Sequence, residues 1–139
     1  METTGEKIRR YRKMRNMTQA QLGEKVGLGD GAIRHYESGI RTPTEEQLED
    51  IAEALDISVS ALRSYHVDTA SELLSILVQF EDEYGLVPSG TGGGSLTIDK
   101  KAEGAPKLAQ ALKNWNAIRR KVASGKMSEA EYEEWKASL

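Results

Sequence analysis

The chain has 139 residues, of which 38% are hydrophobic and 29% charged, and it contains no cysteine. These values are typical of globular proteins and exclude a disulfide framework or a thiolate metal site. The net charge of −3 is uneven, because residues 1–41 carry +4, residues 42–65 carry −5 and residues 66–139 carry −2. The sequence predicts neither a signal peptide nor a membrane span, so we expect a soluble, cytoplasmic protein.

The first 65 residues predict short helices joined by connections of a few residues, which can share one small core. A basic helix is expected over about residues 5–15. The capping box from Thr18 to Gln21 opens a second helix, which ends at Gly27. A third helix follows the glycine-containing turn and runs to about Ser38.

Two more helices complete this predicted N-terminal domain. A capping box at Thr44 opens the fourth helix, and Ser58 can cap a short fifth helix through Leu62. The fourth helix has apolar residues at helical spacing. These are Leu48, Ile51, Ala52 and Leu55.

Residues 66–139 predict a small α+β module. A capping box at Thr69 opens an apolar helix, and two short strands then flank the glycine-rich segment 90–94 as a β-hairpin. A long helix begins near Pro106, and a last helix follows Ser128. The segment 90–94 is not followed by the Lys-Ser/Thr of a phosphate-binding loop, and the two histidines offer no metal cluster, so no cofactor or metal is predicted.

The stretch from Thr18 to Gly39 places two short helices around a glycine-containing turn, which lets the second helix lie in the major groove of DNA. Its spacing resembles the phage-repressor family (lambda repressor and Cro type, also called XRE) over about the first 65 residues. The resemblance rests on Thr18-Gln19, the segment 22–27, Ile33, Tyr36-Glu37, Gly39, Arg41 and Pro43. It implies a mainly α fold, with a five-helix lambda-repressor-like DNA-binding domain at 1–65 and the α+β module at 66–139.

The resemblance also implies which residues of the third helix contact double-stranded DNA. Arg34 could reach a phosphate or a guanine edge. Glycine at position 31 costs the helix about 1 kcal/mol relative to alanine, but it permits close backbone approach. The positions that face bases in relatives are Asp30, Gly31, Ala32 and His35.

Three further DNA-contact residues follow from the resemblance. Gln19 matches a glutamine that contacts phosphate at the start of the second helix. Arg41 matches a loop residue that approaches the backbone or the minor groove. Arg12 matches one partner of a salt bridge with Glu37 that joins the first and third helices, and it could also touch phosphate.

We therefore expect a non-enzymatic, sequence-specific transcriptional regulator, a repressor that binds a palindromic operator as a homodimer. The module at 66–139 would supply the dimer through the Leu73, Leu74 and Leu77 stripe and the helices around Trp115 and Trp135.

Two alternatives stay open. One is a protein-interaction regulator, antitoxin-like or accessory, because Asp30, Gly31 and Ile40 depart from the family pattern. The other is a ligand-gated regulator whose effector binds the C-terminal module. The acidic residues Glu131, Glu133 and Glu134 are expected to form a solvated helix face.

Overall fold

A computed structural model describes all residues from Met1 to Leu139. The chain divides into two compact units, one formed by Met1–His66 with Glu133–Leu139 and the other by Val67–Tyr132. The sequence predicts residues 133–139 as part of the C-terminal module, whereas in the structure they pack with the N-terminal helices. No helix combines the length and the apolar character needed to cross a bilayer.

Five helices form most of the first unit, as predicted. Three of them begin with a complete capping box, at Thr3, Thr18 and Thr44, and Ser58 caps the fifth through its hydroxyl. Such caps satisfy amides that would otherwise lack a partner at the start of each helix. The helices are α1 (Thr4–Met14), α2 (Gln19–Lys25), α3 (Asp30–Glu37), α4 (Glu45–Ala54) and α5 (Val59–Leu62).

One apolar core holds these five helices together. Each fully buried aliphatic side chain contributes about 1.5–3 kcal/mol relative to exposure, so the core is the main source of stability in this unit. Its largest fully buried side chains come from all five helices or their ends: Ile8, Leu22, Ile33, Ile51, Leu55 and Leu62.

The C-terminal segment Glu133–Leu139 extends this core. Ala137 is almost fully buried within it, and its carbonyl oxygen accepts a hydrogen bond of 2.9 Å from the Ser58 amide. Two ion pairs fix the same segment, Arg10 with Glu133 at 3.2 Å and Arg15 with Glu134. Glu134 is exposed, as predicted for a solvated face, whereas Glu133 is half-buried.

The second unit contains the predicted hairpin and the helices around it. The strands pair antiparallel, with Leu86 opposite Ile98 and Ser89 opposite Ser95. Gly85 precedes the first strand at φ 68°, and a Cβ there would lie 2.3 Å from the Asp99 carbonyl oxygen. Its elements are α6 (Ala70–Gln79), α7 (Glu81–Tyr84), β1 (Leu86–Ser89), β2 (Ser95–Ile98), α8 (Ala105–Ala123) and the start of α9 (Glu129–Ala137).

The second unit buries little apolar surface. Ala105 is its only buried hydrophobic residue, whereas the stripe predicted on α6 is largely open to solvent. Trp115 is also exposed on α8, although its indole N–H donates to the Tyr132 hydroxyl at 3.0 Å. This unit therefore presents apolar side chains that a single copy of the chain leaves uncovered.

Candidate nucleic-acid interface

The turn between α2 and α3 depends on two glycines. Gly27 ends α2 in the left-handed region at φ 67°, where other residues are strained. Gly23 faces the turn so closely that a Cβ would lie 2.5 Å from the Leu28 carbonyl oxygen. The Leu28 amide donates to the Gly23 carbonyl at 2.7 Å, which closes the turn. The two helices are thus held together as a helix-turn-helix.

Helix α3 has one buried face and one outward face. Ile33 and Tyr36 point into the core, and the Tyr36 hydroxyl donates to Gln47 Oε1 at 2.8 Å. Because helical residues advance by about 100°, the opposite side carries positions 30, 31, 34 and 35. This arrangement leaves the outward face of α3 accessible along the length of the helix.

Four of the residues predicted to contact DNA lie together on this outward face. Asp30 and Arg34 are exposed, and Gly31 and His35 are half-buried. Ala32 differs, because it lies at the flank of the helix and packs against the core. Asp30 also lies in the first turn, where its negative charge stabilises the helix dipole.

Gly31 is not required by the fold. A Cβ at this position would have no heavy atom within 4 Å, and the backbone is helical. The missing side chain instead leaves the backbone of the outward face accessible to a partner. The geometry is therefore compatible with the close approach that the sequence predicted.

A buried ion pair fixes α3 against α1. Arg12 Nε and one terminal nitrogen donate to the two Glu37 carboxylate oxygens at 2.5 and 2.9 Å, and its other terminal nitrogen donates to the Met17 carbonyl at 2.7 Å. Both side chains belong to residues that are only 8% exposed. Such bidentate pairs are geometrically specific, so Arg12 acts here as a positioning residue.

Gln19 joins this buried pair from the first position of α2. Its Nε2 donates to the second Glu37 oxygen at 2.9 Å. Burial alone raises the pKa of Glu37, but the hydrogen bonds from Arg12 and Gln19 outweigh it, and the pKa lies below its usual range. The charge of Arg9 contributes in the same direction. The start of α2 is thereby fixed relative to α3.

The basic residues of the first 41 positions divide into two groups. Four of them make contacts within the first unit, and the other five are exposed. The internal group is Lys7, Arg10, Arg12 and Arg15. The exposed group is Arg9, Lys13, Lys25, Arg34 and Arg41.

Two of the exposed residues, Arg9 and Lys13, are not among those that the sequence predicts to contact DNA. They are one helical turn apart on α1, and Arg9 is close enough to Glu37 for its charge to act there. The signal in the sequence that points to them is the excess positive charge of residues 1–41.

Arg41 lies in the loop after α3. Its backbone amide donates to the His35 carbonyl at 3.2 Å, and its side chain is exposed. It also lines a groove of about 420 Å³ between this loop and the start of α1. The loop therefore carries a positive charge beside the end of α3.

Comparison with known proteins identifies relatives of the N-terminal part of the chain. The profile of the helix-turn-helix family matches residues 8–62. The Vibrio cholerae cryptic phage CTXphi transcriptional repressor RstR is 42% identical over 57 residues, which cover 41% of this chain and 51% of that protein. The immunity repressor of Bacillus phage phi105 is 40% identical over 60 residues, covering 43% and 42% respectively.

A solved structure is similar over the same region. The P22 c2 repressor, crystallised with a synthetic operator, is 35% identical and has a TM-score of 0.43; the match covers 45% of this chain and 94% of that one. The chain spans about half the length of the curated relatives it matches. The predicted resemblance of the N-terminal domain to phage repressors is confirmed. Residues 8–62 therefore form a helix-turn-helix domain that is similar to the domains of phage repressors.

Proposed function

We propose that the protein is a sequence-specific DNA-binding repressor that acts in the cytoplasm on a palindromic operator. The observation that carries this proposal is the outward face of α3, which presents Arg34 and His35 on a helix held by the buried Arg12–Glu37 pair. A rigid helix of this kind can enter the major groove and reach base edges. The phage repressors among the relatives support the same function.

The residues of the interface have different roles in this proposal. Arg34 and His35 read bases, and Asp30 accepts a hydrogen bond from a cytosine amino group. Gly31 lets the duplex approach the α3 backbone. Gln19 meets phosphate at the positive end of α2, where amides and the helix dipole favour an anion.

The exposed arginines and lysines near α3 supply the part of the DNA affinity that does not depend on sequence. Arg9 and Lys13 on α1 and Arg41 in the loop neutralise phosphates, and each such contact releases condensed counterions. Arg12 keeps α3 in place from inside the domain. Ala32, at the flank of α3, lies next to the wall of the DNA major groove in this proposal.

A single helix-turn-helix covers few base pairs, so affinity requires a second copy on the other half-site. The second unit supplies that pairing in this proposal, because its apolar residues on α6 and α8 are exposed. A homodimer would then place two α3 helices about 34 Å apart on one side of the duplex.

Fluorescence anisotropy with a short operator duplex tests these roles. Arg34→Ala is expected to cost about 1–3 kcal/mol on the preferred duplex and to relax the preference at one base position. Arg9→Ala is expected to weaken all duplexes alike and to lower the salt slope by about one. Lys25→Ala, also exposed but at the far end of α2, serves as the charge-matched control. Equal effects of Arg34→Ala on all duplexes would contradict base reading.

One observation favours a second candidate, a protein-interaction regulator. Ile40 is 70% exposed beside Arg41, at the edge of the same surface. An apolar side chain at this place suits a protein partner better than a phosphate backbone. If Ile40→Lys strengthens duplex binding and leaves regulation in cells unchanged, DNA is the target; loss of regulation despite stronger duplex binding favours the protein partner.

A further inference from the structure

Charge is distributed asymmetrically within the second unit. The segment from Asp68 to Tyr84, which contains α6 and α7, has five acidic residues and no lysine or arginine. Residues 100–126, which contain α8, have eight lysines and arginines and one acidic residue. One part of this unit is therefore strongly acidic and the other strongly basic.

The acidic part carries an uncovered apolar helix face. Leu73, Leu74 and Val78 lie on one side of α6 at helical spacing and are 48%, 58% and 56% exposed. Acidic residues border this face at both ends, with Asp68 before α6 and Glu81 at the start of α7. The face therefore combines an apolar centre with a negative rim.

The basic part carries an apolar groove. The groove lies between β2 and α8 and has a volume of about 590 Å³. Its walls include Leu96 and Ile98 from the strand and Ala109 and Leu112 from the helix, and Lys100 stands at its edge. Small residues on the helix side leave room for the side chains of an apposed helix.

More positive charge follows the groove along α8. Lys113 and Arg120 are four and eleven residues beyond Ala109, so they lie on the same side of the helix as the groove. Both are exposed. The groove therefore has an apolar floor with a positive rim, the opposite of the α6 face.

We infer that the α6 face of one copy of this chain docks into the β2–α8 groove of a second copy. A two-fold axis makes the contact reciprocal, so that each dimer contains two such contacts. The opposite charges of the two rims favour this pairing, because two α6 faces or two grooves brought together would place like charges next to each other. The inference rests on the homodimer of the proposed function and assigns its interface.

Two variants remove the two sides of this contact separately. Leu74→Glu places a charge at the centre of the α6 face, and Ala109→Glu places one in the groove, where it also repels the acidic rim of α6. Both positions are exposed, so neither change disturbs a buried core. The matched controls are Gln79→Glu and Asn114→Glu, which add the same charge to the opposite sides of α6 and α8.

Sedimentation velocity of the full chain measures the effect. Each of the two variants is expected to raise the dimer dissociation constant about 100-fold or more, and the controls are expected to leave it within about threefold. Circular dichroism melts confirm that the variants remain folded. A variant that unfolds is replaced by Leu73→Gln or Leu112→Gln, which test the same two surfaces with a smaller change.

Mixing the two variants provides the decisive test. A heterodimer of Leu74→Glu with Ala109→Glu retains one intact contact, because the first chain has a native groove and the second a native α6 face. Native mass spectrometry is expected to detect this heterodimer at concentrations where each variant alone is monomeric. If α6 paired with α6, or groove with groove, one variant would remain dimeric alone and mixing would not restore pairing, and that result would overturn the inference.

Duplex binding by the same samples separates this inference from the proposed function. If the two variants form a heterodimer but no sample binds a specific duplex, the proposed interface is supported and the proposed repressor function is contradicted. A wild-type dimer that persists in both variants would overturn the interface, while specific duplex binding would still support the repressor. A wild-type chain that stays monomeric at 100 micromolar, about the upper range of such assays, would overturn the interface.

Discussion

The two units of this chain differ in where their apolar residues lie. In the first unit, side chains such as Ile33 and Leu55 are fully buried and form one core, although Ile40 is exposed. In the second unit, leucines on α6 and Trp115 on α8 are exposed. The first unit therefore has a core of its own, whereas the second leaves apolar side chains uncovered, as the proposed homodimer would require.

The largest expected effect concerns the buried ion pair of the first unit. Arg12→Ala leaves the Glu37 carboxylate buried without its partner, which is expected to cost about 3–5 kcal/mol of unfolding free energy. Urea denaturation followed by circular dichroism measures this loss. Arg9→Ala, an exposed arginine on the same helix, is the control and is expected to change stability by less than about 0.5 kcal/mol. Equal effects of the two substitutions would contradict the structural role of Arg12.

A matched pair of leucine substitutions tests the difference between the units. Leu55→Ala creates a cavity in the first unit and is expected to cost about 2–5 kcal/mol. Leu74→Ala is expected to cost less than about 0.5 kcal/mol under dilute conditions, where the chain is monomeric, because the side chain is already exposed. Thermal melts at low and high protein concentration measure both. A large loss from Leu74→Ala at low concentration would show that α6 is buried in the monomer.

Gly31→Ala is expected to raise the free energy of unfolding and to weaken duplex binding. The substitution should stabilise α3 by about 1 kcal/mol, since its Cβ meets open space and alanine is the better helix former. It should also weaken duplex binding, because the added methyl group blocks the close approach proposed for the α3 backbone. Urea denaturation and anisotropy on one sample measure both effects. Stronger duplex binding by this variant would contradict the proposed approach.

The smallest expected effect is a dependence of the free energy of unfolding on pH. The pKa of Glu37 is lower in the folded chain than its usual value of about 4.3. The charged Glu37 side chain therefore contributes fully to the free energy of unfolding above that pH. The contribution is lost as the pH falls through the folded pKa, because protonation removes the charge that Arg12 and Gln19 stabilise. Glu37→Gln is expected to flatten this part of the stability curve, measured by urea denaturation between pH 6 and 3. An unchanged slope would contradict the assignment.

Local signals in the sequence were sufficient for the helices of the first unit. The capping residues Thr18 and Thr44 and the glycines at 27 and 39 act within a few positions of themselves, so their effects can be read along the chain. The capping box at Thr3 carries the same signal and was missed. The outward face of α3 could also be predicted, because it follows from helical periodicity alone.

Contacts between distant residues could not be predicted in this way. The local charge pattern predicts a solvated face for Glu133 and Glu134 and does not show that they pair with Arg10 and Arg15, more than 100 positions earlier. Nothing in a local charge pattern identifies such partners. The sequence assigns the α6 stripe to the dimer contact, but helical spacing alone does not identify the surface that the stripe would meet.

Selection from genomic DNA fragments tests the central claim most directly. The wild-type chain and Arg34→Ala are each used to enrich fragments at the same salt concentration, and the enriched sequences are compared. The account predicts a two-fold symmetric motif for the wild-type chain and a preference altered at one position in each half-site for Arg34→Ala. Failure of the wild-type chain to enrich any motif would contradict the claim that α3 reads DNA.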